Sequence, residues 1–427
     1  MPMHLCLFED ADVSDLRPLV YTRAAYDLRV GMRTLLQRTC DLLDHPPLML
    51  HARPSVASVT GEAHDALVNR VPEGLDVLFV NGRLLLQEGD VLSAIQEATA
   101  HTDAGRCFLQ GDTVVAAWVP GAGADRVEGD ALTADTFADL PTEPVEGATL
   151  INRVWDLVAQ LRPCLAADIR AAAKGYNVFE RPNTTIHESA TLANSEQVIV
   201  APGATIHPGA VLNAADGPIF IGPHAQVWEG AVVKGPAYIG EHAHVKAQAY
   251  VEGSAIGPWS KVGGEVHTST LHSFSNKGHA GFLGHSYLGR WCNLGADTNT
   301  SNLKNDYGEV SLYQYDAAEF MPTGRQFLGL IMGDHSKCGI NTMFNTGTVV
   351  GVACNLYGAG FLPRFTPSFS WGGPQDGFTD YRLEKMLRVA ETVMARRDAA
   401  LSEAGRALLS DLFEKTAPLR TRHHAST

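Results

Sequence analysis

One short stretch in the second half of the chain holds side chains suited to acid–base chemistry. His279 stands near its start, flanked by Lys277 and Phe282, and Asn293 and Asn302 follow. An imidazole titrates near neutral pH, so it is the usual acceptor of a proton from an amine nucleophile. A carboxamide or a backbone N–H group donates a hydrogen bond to the oxyanion that forms when an amine attacks an acyl group. We therefore take His279 as a candidate general base.

A second set of candidates lies near the N-terminus. Arg17, Thr22 and Arg23 are close together in sequence, and Asn81 follows a short apolar run. Arginine side chains neutralise the charge of a triphosphate, which backbone N–H groups of a tight turn can enclose. These four residues are candidates for nucleotide binding through a family resemblance that Leu16-Arg17-Pro18-Leu19 carries. The competing interpretation is a helix-start and salt-bridge cluster in a domain that has no catalytic activity.

The element that must position His279 is defined by a repeat of six residues. Aliphatic side chains recur at strict period six from Ile221 to Val251, with small or polar residues between them. Neither a strand, of period two, nor a helix, of period 3.6, produces this spacing. Short strands joined by tight turns, three to a coil and stacked as a parallel β-helix, do produce it. The series continues with slips through Leu271, Lys277, Leu283, Leu288, Leu294, Thr300, Met332, Cys338 and Phe344.

The N-terminal third has the pattern of an α/β layer domain. Residues 3–8, 48–51 and 77–80 are short apolar runs typical of buried strands, and residues 28–43 carry leucines at helical spacing. Alternating strands and helices favour a mainly parallel, Rossmann-like sheet. The predicted domains are an α/β domain over 1–147, a helical linker over 148–182, a β-helix over 183–357, and an aromatic arm with a C-terminal helix over 358–427.

Composition narrows the classes of function. The chain has 33 basic and 47 acidic residues and a formal charge of −14, which argues against a general nucleic-acid-binding protein. Its seven cysteines are scattered and form no C-x-x-C pair, a usage typical of a reducing compartment. No apolar run approaches the roughly 18 residues that indicate a membrane span. We expect a cytoplasmic protein with neither a nucleic-acid nor a membrane partner.

The residues around His279 resemble the acetyltransferase domain of bacterial bifunctional enzymes that acetylate glucosamine 1-phosphate and then uridylylate the product. The likeness rests on His279 with Leu283-Gly284, on Asn293-Leu294-Gly295-Ala296 and on Asn302, at the spacing of the family motif, with Phe282 where the family has tyrosine. It implies a left-handed β-helix in which His279 is the catalytic base. It also makes Asn293, Asn302, Lys277 and Phe282 candidate substrate-binding residues. It also implies acetyl-coenzyme A as co-substrate, an amino sugar as acceptor, and a homotrimer with the donor between subunits.

The N-terminal candidates resemble the signature of sugar-1-phosphate nucleotidylyltransferases, through Leu16-Arg17-Pro18-Leu19 and the later Arg29-Val30-Gly31. That resemblance implies a nucleoside triphosphate and a sugar 1-phosphate as substrates, with Mg²⁺ held by a carboxylate. Residues 9–12 are acidic where the family has a glycine-rich loop. Arg83 follows Asn81-Gly82 where the family has the aspartate that would hold the metal.

Nearly the whole chain resembles a divergent group of bacterial proteins described as sugar nucleotidyltransferases of this bifunctional type. The blocks Asn345–Gly351 and Pro367–Gly373 extend the likeness to the C-terminal part. The leading hypothesis is an enzyme of sugar-nucleotide biosynthesis that transfers acetyl to an amino sugar, a nucleotide to a sugar 1-phosphate, or both. The alternative from another class is a non-catalytic trimeric scaffold that binds a sugar nucleotide.

A third hypothesis is zinc chemistry. His267 and His272 have the spacing of metal ligands, with His279 as the third. Some trimeric left-handed β-helix proteins resemble carbonic anhydrases, in which three histidines hold zinc across a subunit interface. Three neutral imidazoles and a water molecule make an open catalytic zinc site.

Overall fold

The structure, a computed structural model, describes residues 3–100, 104–122, 127–175 and 183–425. The chain divides into two units, one of Met1–Leu28 with Arg33–Arg153 and one of Arg29–Met32 with Val154–Thr427. Residues 176–182, the end of the predicted linker, lie outside the described residues. The described part of that linker is divided between the two units at Arg153.

Up to residue 150, the described residues form short strands and three α-helices. The strands are β1 (His4–Phe8), β2 (Arg29–Val30), β3 (Arg33–Thr34), β4 (Pro47–Leu50), β5 (Leu67–Val68), β6 (Leu75–Asn81), β7 (Arg106–Gln110), β8 (Thr113–Ala122) and β9 (Thr142–Pro144). The helices are α1 (Leu35–Leu43), α2 (Pro54–Ala63) and α3 (Asp90–Ala100).

The N-terminal unit is built on a seven-stranded sheet in the order β5-β4-β1-β6-β8-β7-β9. Strands β5, β4, β1 and β6 are parallel, and β8 runs antiparallel to both β6 and β7. The apolar run of β6 is buried almost throughout, as expected for a strand covered on both faces. The predicted α/β class of this unit is confirmed. Its parallel strands end together at Phe8, Leu50 and Asn81.

The second unit begins with two helices and continues into many short strands. The helices are α4 (Val154–Ala159) and α5 (Leu161–Ala173). The strands as far as Arg290 are β10 (Thr185–Ile186), β11 (Thr191–Ala193), β12 (Val198–Val200), β13 (Thr205–Ile206), β14 (Val211–Asn213), β15 (Ile219–Ile221), β16 (Gln226–Val227), β17 (Val232–Lys234), β18 (Ala237–Ile239), β19 (His244–Val245), β20 (Tyr250–Glu252), β21 (Ala255–Ile256), β22 (Lys261–Val262), β23 (Glu265–His267), β24 (Thr270–Ser273), β25 (Asn276–Lys277), β26 (Phe282–Gly284) and β27 (Tyr287–Arg290).

The remaining described strands continue the coil and include two hairpins. They are β28 (Asn299–Thr300), β29 (Val310–Gln314), β30 (Glu319–Arg325), β31 (Leu330–Met332), β32 (Lys337–Cys338), β33 (Met343–Phe344), β34 (Thr348–Val350), β35 (Asn355–Leu356), β36 (Phe365–Thr366), β37 (Ser370–Gly373) and β38 (Gly377–Asp380). Three helices follow, α6 (Leu383–Ala395), α7 (Glu403–Lys415) and α8 (Ala417–His424).

These strands stack into three parallel sheets, which are the three sides of the predicted β-helix. The first side is β10-β13-β16-β19-β22-β25, continued by β32-β35-β37. The second side is β11-β14-β17-β20-β23-β26, with β28-β33 farther along. The third side is β12-β15-β18-β21-β24-β27-β31-β34-β36. The antiparallel pair β29–β30 is an excursion between coils.

The interior of the coil is the row of side chains that the period of six predicts. From Ile221 to Val251, each aliphatic residue of the period is completely buried and occupies the three sides in turn. Side chains alternate between the two faces of a strand, so one residue of each short strand faces inward. The predicted β-helix fold class is therefore confirmed. The third side is covered by α5, through Leu161, Leu165 and Ile169.

The aromatic arm belongs to the coil itself. Within the predicted arm of residues 358–427, β36 and β37 extend the third and first sides by backbone pairing with β34 and β35. Phe369, between them, is completely buried. No helix of the described residues is long and apolar enough to cross a membrane.

Candidate active site

A cleft of about 410 Å³ lies along the first side of the β-helix. It extends across the first-side strands, from Phe274 and Trp291 on the turns before them to His279 on a turn after them. Val393, near the end of α6, also lines it. Its walls are formed by Lys246, Lys261, Phe274, Asn276, Gly278, His279, Trp291, Cys292, Asn293, Lys337, Val393, Arg396 and Arg397. The cleft therefore brings together two of the predicted residues, His279 and Asn293.

The floor of the cleft is an outward-facing row on the first side. Lys261 pairs in register with Asn276, Asn276 with Asn293, and Asn293 with Lys337. Parallel in-register strands place equivalent side chains one above the other, so the two carboxamides lie between two lysines. The side-chain oxygen of Asn276 is buried and has no hydrogen-bond partner among the described residues.

His279 lies on the turn of residues 278–281, which joins β25 to β26. The imidazole is exposed and forms part of the cleft wall. Lys277, in contrast, is 1% exposed and faces the interior of the coil. Its ammonium donates to the backbone oxygens of Gly263, His279 and Ala280 at 2.8, 2.6 and 3.1 Å. All three of its N–H groups are thereby used, so the expected contact of Lys277 with substrate is replaced by contacts within the coil.

The cleft carries a dense positive charge. Five of its lining residues are cationic, and among the described residues none of those that line it is an acid. Burial lowers the pKa of Lys261, and the neighbouring charges of Arg397, Lys246 and Arg396 lower it further. Burial and the same kind of cationic neighbours lower the pKa of His244, on the same row, to about 4. Mutual repulsion of this kind is relieved by an anion, so the cleft suits a ligand with several negative charges.

An apolar wall adjoins the charges. The rings of Phe274 and Trp291 stack with centroids 4.3 Å apart and both line the cleft, next to Val393 of α6. Stacked aromatic rings offer a surface for a flat or apolar part of a ligand. The neighbouring thiol of Cys292 is not a nucleophile, because burial raises its pKa to about 12.

Asn302 and Phe282 lie away from this cleft within the described residues. The Asn302 amide nitrogen is 2.8 Å from the Nδ1 atom of His285, at the corner between the second and third sides. Burial lowers the pKa of His285 to about 4, so this imidazole is neutral. Phe282 is on the second side, with its ring 5.8 Å from that of His267. The structure thus divides the predicted acetyltransferase residues between two sides of one chain.

The three histidines of the zinc hypothesis also occupy different places. His267 is on the second side and lies 2.9 Å from Glu265, whereas His272 is 1% exposed on the third side. His279 is on the turn between the first and second sides. No group of metal-ligating side chains forms among the described residues of one chain. A single chain therefore does not assemble the predicted three-histidine site.

In the N-terminal unit, the predicted residue Asn81 belongs to a closed polar network. Its amide donates to Asp10 at 2.7 Å and to the Val114 oxygen at 2.9 Å, and its oxygen accepts from the Arg83 N–H. The completely buried Arg83 guanidinium holds both oxygens of Asp10, at 2.8 and 2.5 Å. It also reaches Asp12 at 3.0 Å.

Mg²⁺, which the resemblance implies, does not fit these residues. A guanidinium bound to both oxygens of Asp10 occupies the positions that a divalent cation would need. The carboxylate of Glu9, directly after β1, is completely buried and accepts from the Arg53 side chain at 2.5 Å and from the Ala25 N–H at 2.8 Å. Acids at this edge of the sheet are therefore neutralised by arginines of the same unit.

The other predicted nucleotide-binding residues, Arg17, Thr22 and Arg23, come after β1 in the chain. Arg17 and Thr22 are partly exposed, and Arg23 is 3% exposed. The Arg17 guanidinium lies 5.7 Å from the centre of the Tyr21 ring. Arg17 and Asn81 belong to the same unit. The hydrogen bonds of the Asn81 side chain join it to Asp10, Val114 and Arg83.

Arg29-Val30-Gly31, which sequence grouped with the nucleotide signature, belongs to the second unit. The Arg29 N–H donates to the Tyr287 hydroxyl at 3.0 Å, and the Met32 N–H donates to Asp168 at 2.9 Å. Gly31 has φ +77, and a Cβ atom there would lie 2.6 Å from the Asp168 carboxylate. These contacts hold the segment against α5 and the third side of the β-helix. Position 31 is a glycine because a side chain there would collide with Asp168.

Several cleft residues were not found from sequence. Asn276 and Lys261 each come directly before the inward residue of their strand, so their side chains face outward. The period that marks the inward residues could therefore have identified both. Arg396 and Arg397 follow α6, more than 100 residues after His279, and no sequence pattern links them to it.

Comparisons with known proteins agree with the resemblance. Residues 5–177 match the family model described as sugar nucleotidyl transferase. The chain is 33% identical over 90 residues to the "Bifunctional protein GlmU" of Methanocaldococcus jannaschii, which is 21% of each protein. It is 29% identical over 107 residues to a "Bifunctional sugar-1-phosphate nucleotidylyltransferase/acetyltransferase" of Sulfurisphaera tokodaii, covering 25% of this chain and 26% of that protein. The chain thus spans about a quarter or less of these relatives' length.

Solved structures show more distant likenesses. The UDP-N-acetylglucosamine acyltransferase of Campylobacter jejuni is 17% identical, with a TM-score of 0.29, over 55% of this chain and 95% of that one. The acetyltransferase domain of PglB from Neisseria gonorrhoeae, in complex with acetyl coenzyme A, is 16% identical, with a TM-score of 0.17, over 37% of this chain and 69% of that domain. Neither score supports an inference about activity.

Proposed function

We propose, from the cleft of the β-helix and from the likeness to a bifunctional sugar-1-phosphate nucleotidylyltransferase/acetyltransferase, that this protein transfers an acetyl group from acetyl-coenzyme A to an amino sugar. The observation that carries the proposal is the convergence of His279 and Asn293 in one cleft with five cationic side chains. A base, a carboxamide and a site for phosphates are the parts that this reaction needs.

The His279 imidazole accepts the proton of the acceptor amine, whose lone pair attacks the thioester carbonyl carbon. A C–N bond forms, the C–S bond breaks, and coenzyme A leaves as a thiol after taking up a proton. The Asn293 carboxamide is exposed at the cleft floor and donates to the oxyanion of the tetrahedral intermediate. The buried Cys292 thiol takes no part, so no acyl-enzyme forms.

The cations hold the donor. Coenzyme A carries a diphosphate and a 3′-phosphate, and Lys246, Lys261 and Lys337 on the coil face Arg396 and Arg397 after α6 across the cleft. Guanidinium groups bind phosphate oxygens in pairs, whereas lysines act as point charges. Binding energy from these remote groups positions the thioester against His279.

We further propose a homotrimer in which Asn302 and Phe282 of a neighbouring chain face the acceptor sugar. This accounts for their place on another side of the coil than His279. The second side also exposes the apolar side chains of Met343 and Phe361, at 36% and 57%. Exposed apolar residues in register on one sheet face favour burial against another chain.

For the N-terminal unit, the internal ion pairs favour sugar-nucleotide binding without metal-dependent transfer. The Asp10 and Glu9 carboxylates are held by Arg83 and Arg53, and Asn81 is bound to Asp10. The unit keeps Arg17, Thr22 and Arg23 as the proposed contacts of a nucleotide phosphate. Its test is pyrophosphate release from UTP or dTTP with a panel of sugar 1-phosphates and Mg²⁺, in which we expect no turnover; sustained release would contradict this assignment.

The acetyl-transfer proposal is tested with acetyl-coenzyme A and a panel of amino sugars, free and phosphorylated, by following thiol release and product mass. We expect His279→Ala to lower kcat by about 100-fold or more with at least one acceptor. His187→Ala is the matched control, since this exposed histidine lies at the far end of the coil. Wild-type protein that releases no thiol with any acceptor would favour the non-catalytic scaffold.

A further inference from the structure

The interior of the β-helix contains one lysine in an otherwise uncharged row of the first side. Lys277 lies in register above Val262, and the corresponding inward residues of β16 and β19 are Val227 and Val245. Lys277 is 1% exposed. A buried ammonium is costly unless it is hydrogen-bonded, so its position needs a specific reason.

The ammonium is directed at the turn that carries His279. It donates to the His279 oxygen at 2.6 Å and the Ala280 oxygen at 3.1 Å, and to the Gly263 oxygen of the preceding coil at 2.8 Å. One side chain thus ties the 278–281 turn to the coil before it. The Ala280 oxygen also accepts from the Asp297 N–H, at 3.2 Å, in the following coil.

The preceding coil is shaped to admit this turn. Four residues separate β19 from β20, whereas only Gly263 and Gly264 separate β22 from β23. A Cβ atom on Gly264, whose φ is +66, would lie 2.6 Å from the Gly281 oxygen. A Cβ atom on Gly263 would lie 2.9 Å from the Gly278 oxygen. The short glycine corner lets the His279 turn approach the coil closely enough for Lys277 to bridge them.

We propose that Lys277 is a positioning residue that fixes the 278–281 turn, and with it the imidazole of His279, at the edge of the cleft. Its effect on turnover rests on the acetyl transfer proposed above, whereas its effect on the turn does not. A thioether or alkyl side chain of similar length fills the same space but leaves the three carbonyl oxygens without this donor. Burial lowers the pKa of Lys277 to about 8, an effect that Asp297 opposes, so the ammonium is charged at neutral pH.

The experiment compares wild-type protein with Lys277→Met and with Val245→Ala. The valine variant removes volume from the same inward row, two coils earlier, without touching the turn. Acetyl transfer gives kcat and KM, thermal unfolding gives Tm, and hydrogen exchange reports on the amides of residues 278–281. We expect Lys277→Met to lower kcat by about 10- to 100-fold, with KM for acetyl-coenzyme A changed less than about threefold. We expect Val245→Ala, at a comparable Tm, to keep kcat within about twofold.

The exchange readout separates the two proposals. Faster exchange of the 278–281 amides in Lys277→Met, relative to Val245→Ala, supports the positioning role even if no acceptor is found for the wild-type protein. In that case the acetyl-transfer proposal fails alone. If a folded Lys277→Met protein keeps wild-type kcat, or if its 278–281 amides exchange as in wild type, the positioning role is contradicted while His279 catalysis can still stand.

Discussion

At the scale of single residues, the two asparagines on the cleft floor are chemically similar but differ in their surroundings. Asn293 is exposed, whereas the side-chain oxygen of Asn276 is buried without a partner among the described residues. A donor to an oxyanion acts mainly in the transition state, whereas a side chain that only lines the cleft, as Asn276 does, acts equally on bound substrate. The two residues are therefore expected to affect different kinetic constants.

Asn293→Ala is expected to lower kcat by about 100-fold with little change in KM, because it removes a donor to the oxyanion. Asn276→Ala is expected to raise KM about 5- to 10-fold with kcat nearly unchanged, because it removes a ground-state contact. Steady-state kinetics of both variants checks this. Equal effects of the two substitutions on kcat would contradict the separate roles.

The Asp10–Arg83 pair is a second residue-scale test, in the N-terminal unit. Both partners are buried, so removal of one leaves the other charge without compensation. We expect Arg83→Met to lower the free energy of unfolding of this unit by about 3–5 kcal/mol, measured with urea. Arg106→Met, which breaks an exposed pair with Glu143, is the control and is expected to cost less than about 1 kcal/mol. Similar losses in both variants would contradict the structural role of the buried pair.

At the scale of elements, the end of α6 contributes charge to a site built on the coil. Its apolar face is buried through Met386, Leu387 and Ala390, which fixes the helix and brings Arg396 and Arg397 to the cleft. The cations of the coil alone would leave one wall of the cleft without charge. The C-terminal helices therefore belong to the candidate site and not only to the fold.

We expect the double substitution Arg396→Ala and Arg397→Ala to raise KM for acetyl-coenzyme A about tenfold or more, with a smaller effect on kcat, because it removes contacts with the donor phosphates. The exposed Arg388, on α6 but outside the cleft lining, supplies the control Arg388→Ala. The difference from wild type is expected to shrink with dephospho-coenzyme A thioesters or at high salt. An unchanged KM in the double variant would remove α6 from the binding site.

At the scale of the whole molecule, the sequence predicted the coil far better than the site. The period of six marks which residues face inward, because a regular solenoid repeats one environment, and even the irregular members Lys277 and Thr300 are buried as the series requires. The period of six also placed Lys277 inside the coil, although Lys277 was a candidate for substrate binding because it is close to His279 in sequence. Only the folded structure shows that the ammonium donates to three backbone oxygens.

The site was only partly predictable. Each slip in the period of six changes which side of the coil the following residues occupy, so spacing alone does not place a site residue on a side. Asn302 follows His279 by 23 residues, but it lies after the second side, whereas Asn293 lies on the first. The cations after α6 are brought to the cleft by helix packing, which leaves no periodic signal. In the N-terminal unit, the sequence showed that Arg83 stands where the family it resembles has an aspartate. It did not show that the Arg83 guanidinium binds both oxygens of Asp10.

Buried neutral histidines give the whole protein a predicted pH dependence. Burial lowers the pKa of His244, His285 and His423 to about 4, from an ordinary value near 6.5. Between these values the unfolded chain binds more protons than the folded one, so stability is lost as the pH falls from about 6.5 to 4. We expect Tm to decrease over this range, and the decrease to be smaller in His285→Gln. A Tm that is constant from pH 7 to 4 would contradict the burial of these imidazoles.

The account depends most on the assignment of acetyl transfer to the cleft that holds His279. Its most direct test is the yield of acetylated amino sugar, identified by mass, from acetyl-coenzyme A with wild-type and His279→Ala protein of equal Tm. We predict stoichiometric release of thiol and acetylated product from the wild-type protein, and a loss of about 100-fold or more in the variant. Equal product formation by the two proteins would contradict the role of His279 and, with it, the assignment of this cleft as the active site.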